Sequence, residues 1–328
     1  MTNHHRLWLW ALLLICSLLG LSSCHATPTS AGTIKIGVLR VPNDVAVARQ
    51  RHLLQKACQA KGLTVQFIAF DSGVDANKAL IANDVQLATM GHTNAVVALA
   101  AGISAKLVWI NDIIGSNEAL VIRQKAGIDT WGQLKHKKIA TPFASTSHYS
   151  LMMLLQQHHL TNQVEVLDMQ TPEIVAAWQR GDIDGAYTWE PSLSALLGNK
   201  QLIDSRQMAQ TGHLTANVTL ATDAFIRTQP DVLRTLLATL NKIHSQYQDL
   251  PQSIYRTAAK SLSLPVATVK KQIGTSQWLS DQSQRTFMTR QFRAQFFETA
   301  QFMWRQQTLT KPVSQKDCDR FITPRYLN

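Results

Sequence analysis

A chain of 328 residues that is 45% hydrophobic and only 16% charged can bury a sizeable core, and its length fits about two domains; an intrinsically disordered protein is excluded. The net charge of +11 comes from basic residues spread along the chain without a run of five, and no aromatic-basic alternation accompanies them. That excludes a dedicated nucleic-acid binder and leaves a basic surface that attracts anions in general.

At the N-terminus, Arg6 precedes an apolar run over residues 7–21. The run is long enough for the core of a signal peptide and short of the ~18 residues a membrane-spanning helix needs. Leu21-Ser22-Ser23-Cys24 follows and resembles a bacterial lipobox, in which small residues admit the peptidase to a cysteine whose thiol becomes diacylated. Residues 1–23 therefore read as a lipoprotein-type signal peptide, and the lipid on Cys24 would tether an exported, periplasmic domain to a membrane; ordinary cleavage after Ala26 is the alternative. With Cys16 removed and Cys24 acylated, Cys58 and Cys318 remain, either as a disulfide or as two separate buried thiols.

Further along, nine β-rich runs read as strands: TIKIGVL, LTVQFIAF, VQLATMG, AKLVWIND, ALVIRQ, KKIATPF, QVEVLDMQ, DGAYTW and NVTLAT. Helical patterns separate most of them, which implies an α/β fold with parallel sheets covered by helices on both faces. After residue 223 helical patterns dominate, including residues 231–248 and 284–306. No repeat or Pro/Gly-rich linker separates two consecutive domains, so interleaved domains are expected.

Three strand-to-helix turns collect polar groups where ligands bind in open α/β sheets. The first carries Pro42, Asn43 and Asp44, and the second Gly91, His92, Thr93 and Asn94. In the third, ATPFASTSHYSLMML, Pro142 disfavours helix at the residue before it and Ser145, Thr146, Ser147 and His148 lie at a helix start. Unpaired N–H groups and a partial positive charge at such a start suit an anion. Because residues 139–179 contain no lysine or arginine, this turn fits a singly charged oxyanion held by neutral donors rather than a phosphate; simple helix capping by serine and threonine is the alternative. Trp189 ends another strand, where a core position is the alternative to a cleft position.

Catalysis finds little support. Ser147 and His148 are neighbours that point about 100° apart on a helix, G-x-S-x-G and H-E-x-x-H are absent, and the adjacent His158 and His159 lack metal-ligand spacing. The sequence reads as a non-enzyme without cofactor or metal.

DSG at 71–73, NEALVI at 117–122, KKIATPFASTSHYSLM at 137–152 and AAWQRGDIDGAYTWEP at 176–191 together resemble the substrate-binding proteins of taurine ABC importers. The resemblance implies a type II periplasmic binding fold, with residues 33–117 plus 218–328 as lobe one, residues 118–217 as lobe two, and a hinge at the two crossings. It further implies a monomer that hands taurine or a related small sulfonate to a permease and its ATPase. Ser145 to His148 and the turn at Gly91, His92 and Thr93 would hold the sulfonate, Glu118 the ammonium, and Trp189 would cover the linking carbons. Asn43 lies in a turn that reads RVPND where taurine binders carry TSAEP, and GHTN stands in place of GSSP. Asn217 stands where those proteins carry aspartate, so the ammonium is expected to meet Glu118 alone. An alkanesulfonate or another amino sulfonate is the runner-up ligand, and an enzyme on the same fold, of the pyrimidine-precursor synthase type, is the alternative class.

A Cys24→Ala variant is expected to accumulate as unprocessed precursor, seen as a larger band that takes up no labelled fatty acid; normal processing and release of that variant would remove the lipobox.

Overall fold

The computed structural model describes residues 32–196 and 200–327; Cys24 and the leader lie outside the described residues. Strands and helices alternate through β1 (Thr33–Leu39), α1 (Asp44–Gln50), α2 (Leu53–Gln59), β2 (Thr64–Phe70), α3 (Gly73–Ile81), β3 (Leu87–Gly91), α4 (His92–Ala101) and β4 (Ala105–Ile113). The chain continues into β5 (Glu118–Ile122), β6 (Lys138–Thr141), α5 (Thr146–Gln157), β7 (Glu165–Asp168), α6 (Thr171–Arg180), β8 (Gly185–Trp189), β9 (Lys200–Asp204) and α7 (Ser205–Gln210). It then returns through β10 (Ala216–Thr222) to the helices α8 (Asp223–Thr228), α9 (Pro230–Asp249), α10 (Pro251–Leu262), α11 (Val266–Ile273), α12 (Asp281–Thr289), α13 (Gln291–Arg305) and α14 (Gln315–Phe321).

Two five-stranded sheets result, in the orders β2-β1-β3-β10-β4 and β7-β6-β8-β5-β9. β1 runs parallel to β2 and β3, as β6 does to β7 and β8. β10 is antiparallel to both of its neighbours and so is β5, so the sheets are mixed rather than parallel throughout. The reason is topological: β5 and β10 are the strands by which the chain enters one sheet and re-enters the other, and neither is reached by a βαβ crossover. β3 and β5 are buried at every residue, as expected for strands covered on both faces.

Two elements differ from the sequence expectation. β9 has no counterpart among the nine runs, because KQLID is half polar and its first two residues are exposed at a sheet edge. The helical stretch expected over 284–306 is two helices, broken at Arg290, whose backbone (φ −123°, ψ −94°) is not helical. By contrast α9 is continuous and buries Val232, Leu233, Leu236, Leu237, Leu240, Ile243 and His244 along one face. Cys58 and Cys318 are both buried and free, which leaves the second of the two readings, separate thiols.

The segment between β4 and β5 is braced by the segment after α11. Ser116 donates its N–H to Thr275 Oγ1 (2.9 Å) and Thr275 returns its own to Ser116 Oγ (3.2 Å). A Cβ on Gly115 would lie 2.4 Å from Thr275 Oγ1 and 2.6 Å from that residue's carbonyl carbon, so only glycine permits this approach.

One buried network fixes α1 against β4 and α9. Asp44, fully buried, accepts at Oδ1 from Asn111 Nδ2 (2.9 Å) and the Val45 N–H (2.8 Å), and at Oδ2 from Trp109 Nε1 (2.8 Å) and His244 Nε2 (3.0 Å). His244 Nδ1 lies 2.7 Å from the Leu279 carbonyl, which can only accept. Nδ1 therefore carries a proton, and the Asp44 carboxyl has a hydrogen-bond partner at each of its four lone-pair positions. Asp44→Asn would aim an amide N–H₂ at buried donors and leave them unsatisfied; a loss of about 1–3 kcal/mol is expected, read as a lower urea midpoint at unchanged slope.

Candidate functional site

Between the two sheets lies a cleft that is open at its mouth, the kind of concave site in which small molecules bind. The sheet β2-β1-β3-β10-β4 supplies residues beyond β1 (Pro42, Asn43), β2 (Ser72, Gly73, Val74) and β3 (Gly91, Asn94), with Asp112 from β4 and Asn217 from β10. The sheet β7-β6-β8-β5-β9 supplies Glu118 from β5, Pro142, Phe143, Ser145 and Thr146 beyond β6, and Trp189 and Glu190 at the end of β8. The lining thus gathers at the carboxyl ends of the parallel strands of both sheets, the position at which open α/β sheets bind ligands.

Four helix starts open on this space. Asn43, Ser72 and Ser145 cap α1, α3 and α5, accepting N–H bonds from Ala46 (3.0 Å), Asp75 (3.3 Å) and His148 (3.1 Å). α4 begins after Gly91 with no side-chain cap. A Cβ on Gly91 would lie 2.9 Å from Thr146 Cγ2, and one on Gly73 2.2 Å from Asn94 Oδ1. The α4 and α5 starts therefore meet across the cleft at a distance that admits no side chain on Gly91. Together these starts present unpaired amides and partial positive charge without a cationic side chain.

Among the described residues, three carboxyl groups line the same cavity and no lysine or arginine does. Glu118 is 1% exposed. Its Oε1 accepts from Ser205 Oγ (2.6 Å) and Thr215 Oγ1 (3.4 Å), and its Oε2 from Ser147 Oγ (2.9 Å) and Thr146 Oγ1. Burial pushes its pKa up, and the four hydroxyls pull against that shift. Asp112, also buried, faces Asn217 in the β4–β10 register and accepts from its Nδ2 at 3.0 Å. Burial and the Asp44 carboxylate raise the Asp112 pKa to about 7, against the pull of Asn217, His244 and Ser276. Glu190 accepts from the N–H (2.9 Å) and hydroxyl (2.8 Å) of Ser194, and burial raises its pKa as well.

Of the residues singled out in the sequence, Asn43, Gly91, Glu118, Ser145, Thr146, Trp189 and Asn217 line the cavity. Four others lie behind its wall. His92 is fully buried; its Nδ1 accepts the Ala216 N–H (3.3 Å), so Nε2 carries the proton toward Thr299 Oγ1 (3.2 Å), and burial lowers its pKa to about 4. Thr93 is buried and faces a separate small recess with Tyr149 and Phe302. Ser147 is buried and turns its hydroxyl to Glu118. His148 stacks on Phe143 at 4.4 Å between ring centres, with a pKa lowered to about 4 by burial. Beside Glu118, the carboxylate expected to meet a cation, Asp112 and Glu190 also line the space. An acidic residue near the end of the apolar run AKLVWIND was the available signal for Asp112, and the Glu190-Pro191 pair, read as a helix start, was the signal for Glu190. Ser72 and Gly73 were within reach through DSG.

A two-lobed α/β fold with its cleft at the strand carboxyl ends defines the class of periplasmic binding proteins. The chain belongs to the NMT1/THI5-like family, whose model matches residues 58–253. The taurine-binding periplasmic protein of Escherichia coli is 32% identical over 275 residues, covering 81% of this chain and 84% of that protein. Among solved structures, the alkanesulfonate-binding protein SsuA of Xanthomonas axonopodis pv. citri, bound to MOPS, superposes with a TM-score of 0.73 at 21% identity over 88% of this chain and 98% of that one. The desulfurization enzyme DSZB superposes with a TM-score of 0.66 at 15% identity over 90% and 97%. Binding proteins and an enzyme therefore share this fold.

Because Gly91 has ordinary extended backbone angles (φ −63°, ψ 147°), Gly91→Ala is expected to change the melting temperature little while weakening ligand binding by tenfold or more through the contact with Thr146. Adding Thr146→Ser, which removes the clashing methyl, is expected to restore part of the affinity in a calorimetric titration.

Proposed function

We propose that the protein is the extracytoplasmic substrate-binding component of an ABC importer, closing two lobes on taurine or a related small amino sulfonate and delivering it to a permease with its ATPase. The observation that carries this reading is the pairing, in one cavity, of uncapped or neutrally capped helix starts with three carboxyl groups and no cationic side chain. Such a lining complements a zwitterion: a sulfonate ionised at every physiological pH and an ammonium that supplies the missing positive charge. In this arrangement the amides at the starts of α4 and α5 hold the sulfonate, Glu118 and its acidic neighbours take the ammonium, and Trp189 and Phe143 cover the carbons between.

Support for taurine in particular comes from the E. coli relative named for it; alkanesulfonates are the runner-up, favoured by the likeness to SsuA. Binding rather than turnover is favoured because the lining supplies no thiol and its Ser72 and Ser145 hydroxyls serve as helix caps. Lobe one would comprise residues 33–117 plus 218–328 and lobe two residues 118–217, with the hinge at the crossings. The mature chain would act as a monomer in the periplasm, tethered through Cys24.

The test is a thermal-shift panel followed by calorimetry, since a ligand that binds only the native state raises its apparent stability. Taurine is expected to stabilise the protein, and phosphate is not. Glu118→Gln should weaken taurine roughly ten- to hundredfold, the loss of one charge-assisted contact of about 1.5–3 kcal/mol, and weaken ethanesulfonate much less. A panel in which phosphate outcompetes every sulfonate would overturn the assignment.

A further inference from the structure

We propose that Asp112 is the cation-selecting residue of lobe one and that capture of an ammonium ligand expels its carboxyl proton to solvent. The inference rests on the zwitterion reading above and adds a residue and a proton stoichiometry to it.

The geometry is specific. β4 and β10 are antiparallel neighbours, and their register sets Asp112 directly opposite Asn217 at the cavity wall. Asn217 directs its amide N–H₂ at Asp112 Oδ1 (3.0 Å), an arrangement that holds the carboxyl in place and favours its ionised form without supplying charge. Asn217 thereby occupies its position as a donor to a carboxyl on the next strand.

The groups that face Asp112 from the surrounding elements decide its resting state. From β10 comes the neutral Asn217 amide, and from the segment after α11 the Ser276 hydroxyl, whose single proton goes to Asn117 Oδ1 (2.8 Å). From α1 comes the Asp44 carboxylate, which opposes ionisation, and from α9 His244, which favours it. His244 is committed to Asp44 at 3.0 Å. Tyr247 of α9 also senses Asp112, which contributes to the upward shift of its phenol. Within the cavity the remaining ionisable side chains are Glu118 and Glu190, both acidic. Burial thus leaves Asp112 half-protonated near neutrality, with a pKa of about 7, and the counter-charge that would ionise it fully has to arrive with the ligand. The step balances as a carboxylic acid and an ammonium ligand giving a carboxylate–ammonium pair and one proton in water.

The sign follows from linkage. Below pH 7 the empty site holds a proton that must leave before the ammonium is paired, so affinity falls as pH falls. Between pH 8 and pH 6 a single such proton lowers affinity by about tenfold. In the empty protein the raised pKa acts in the opposite direction: its contribution to stability is fully present below about pH 4, where even the unfolded group is protonated, and is lost as pH rises through about 7.

The experiment is calorimetry of the intact mature protein with taurine, ethanesulfonate and ethylammonium, each at pH 6.5 and 8 in two buffers of different ionisation enthalpy. Taurine and ethylammonium are expected to release most of one proton at pH 6.5 and little at pH 8, and ethanesulfonate none. In Asp112→Asn the release and the pH dependence, about fourfold in affinity between pH 6.5 and 8, should both vanish while ethanesulfonate still binds. Asn217→Leu, which keeps the carboxyl but removes its neutral donor, should move the midpoint of the pH profile upward and serves if the first variant does not fold. A pH profile unchanged in these variants, or ammonium ligands captured without proton release, would overturn the role of Asp112. Binding of ethylammonium with proton release but of no sulfonate would sink the sulfonate assignment and leave Asp112 in place; binding of neither would overturn both.

Discussion

The structure turns on how Glu118 keeps a carboxylate out of water. A buried carboxylate is tolerated only when its lone pairs are met, and here they are met by hydroxyls from three places distant in sequence: Thr146 and Ser147 at the start of α5, Ser205 at the start of α7, and Thr215 on the strand of chain returning to lobe one. One side chain at the first residue of β5 therefore ties together the helix start, the far edge of lobe two and the return crossing. Hydroxyls satisfy geometry without neutralising charge. Asp44 makes the contrast, since it is equally buried but is bonded to Asn111, Trp109, His244 and a backbone N–H, away from the cleft. The protein thus contains one carboxylate that holds the fold and another that faces the cleft.

Much of the fold was legible because its cause is local. β-branched and apolar runs bounded by turn residues mark strands wherever both faces are covered, and all nine such runs appear as strands. Strand direction has no local signature, which is why the antiparallel placement of β5 and β10 could not be read from periodicity. β9 escaped because an edge strand needs apolar residues on one side only, and KQLID offers few. The break at Arg290 is a tertiary event between two helical stretches that each look continuous with the other.

At the site, residues announced by turn chemistry were the ones that could be found. Asn43, Gly91, Ser145 and Thr146 sit at helix starts, and a helix start at a strand's carboxyl end points toward the cleft by construction. Orientation within the first turn was beyond reach: Thr146 lines the cavity, while Ser147, one residue on, faces inward, and His92 and Thr93 turn away into the core after Gly91 faces the ligand space. Asp112 was hidden for a different reason. An acidic residue in a strand ordinarily means a solvent-facing edge, and only the pairing of β4 with a strand more than a hundred residues later brings it to the cleft.

The placement of charge also governs the approach of solutes. The chain carries a net charge of +11, yet the carboxyl groups of the cleft are acidic and its wall has no basic side chain. Inorganic anions are drawn to the exterior by the monopole field and then meet like charge at the cavity floor. A zwitterion has no monopole, so its encounter rate is set by diffusion and depends weakly on ionic strength. What acts on it is the gradient between helix starts and carboxylates over a few ångströms, which exerts a torque and aligns it end for end only once it has entered. Discrimination is thereby displaced from the approach to the residence time, and the basic shell outside is left free to serve surfaces rather than solutes.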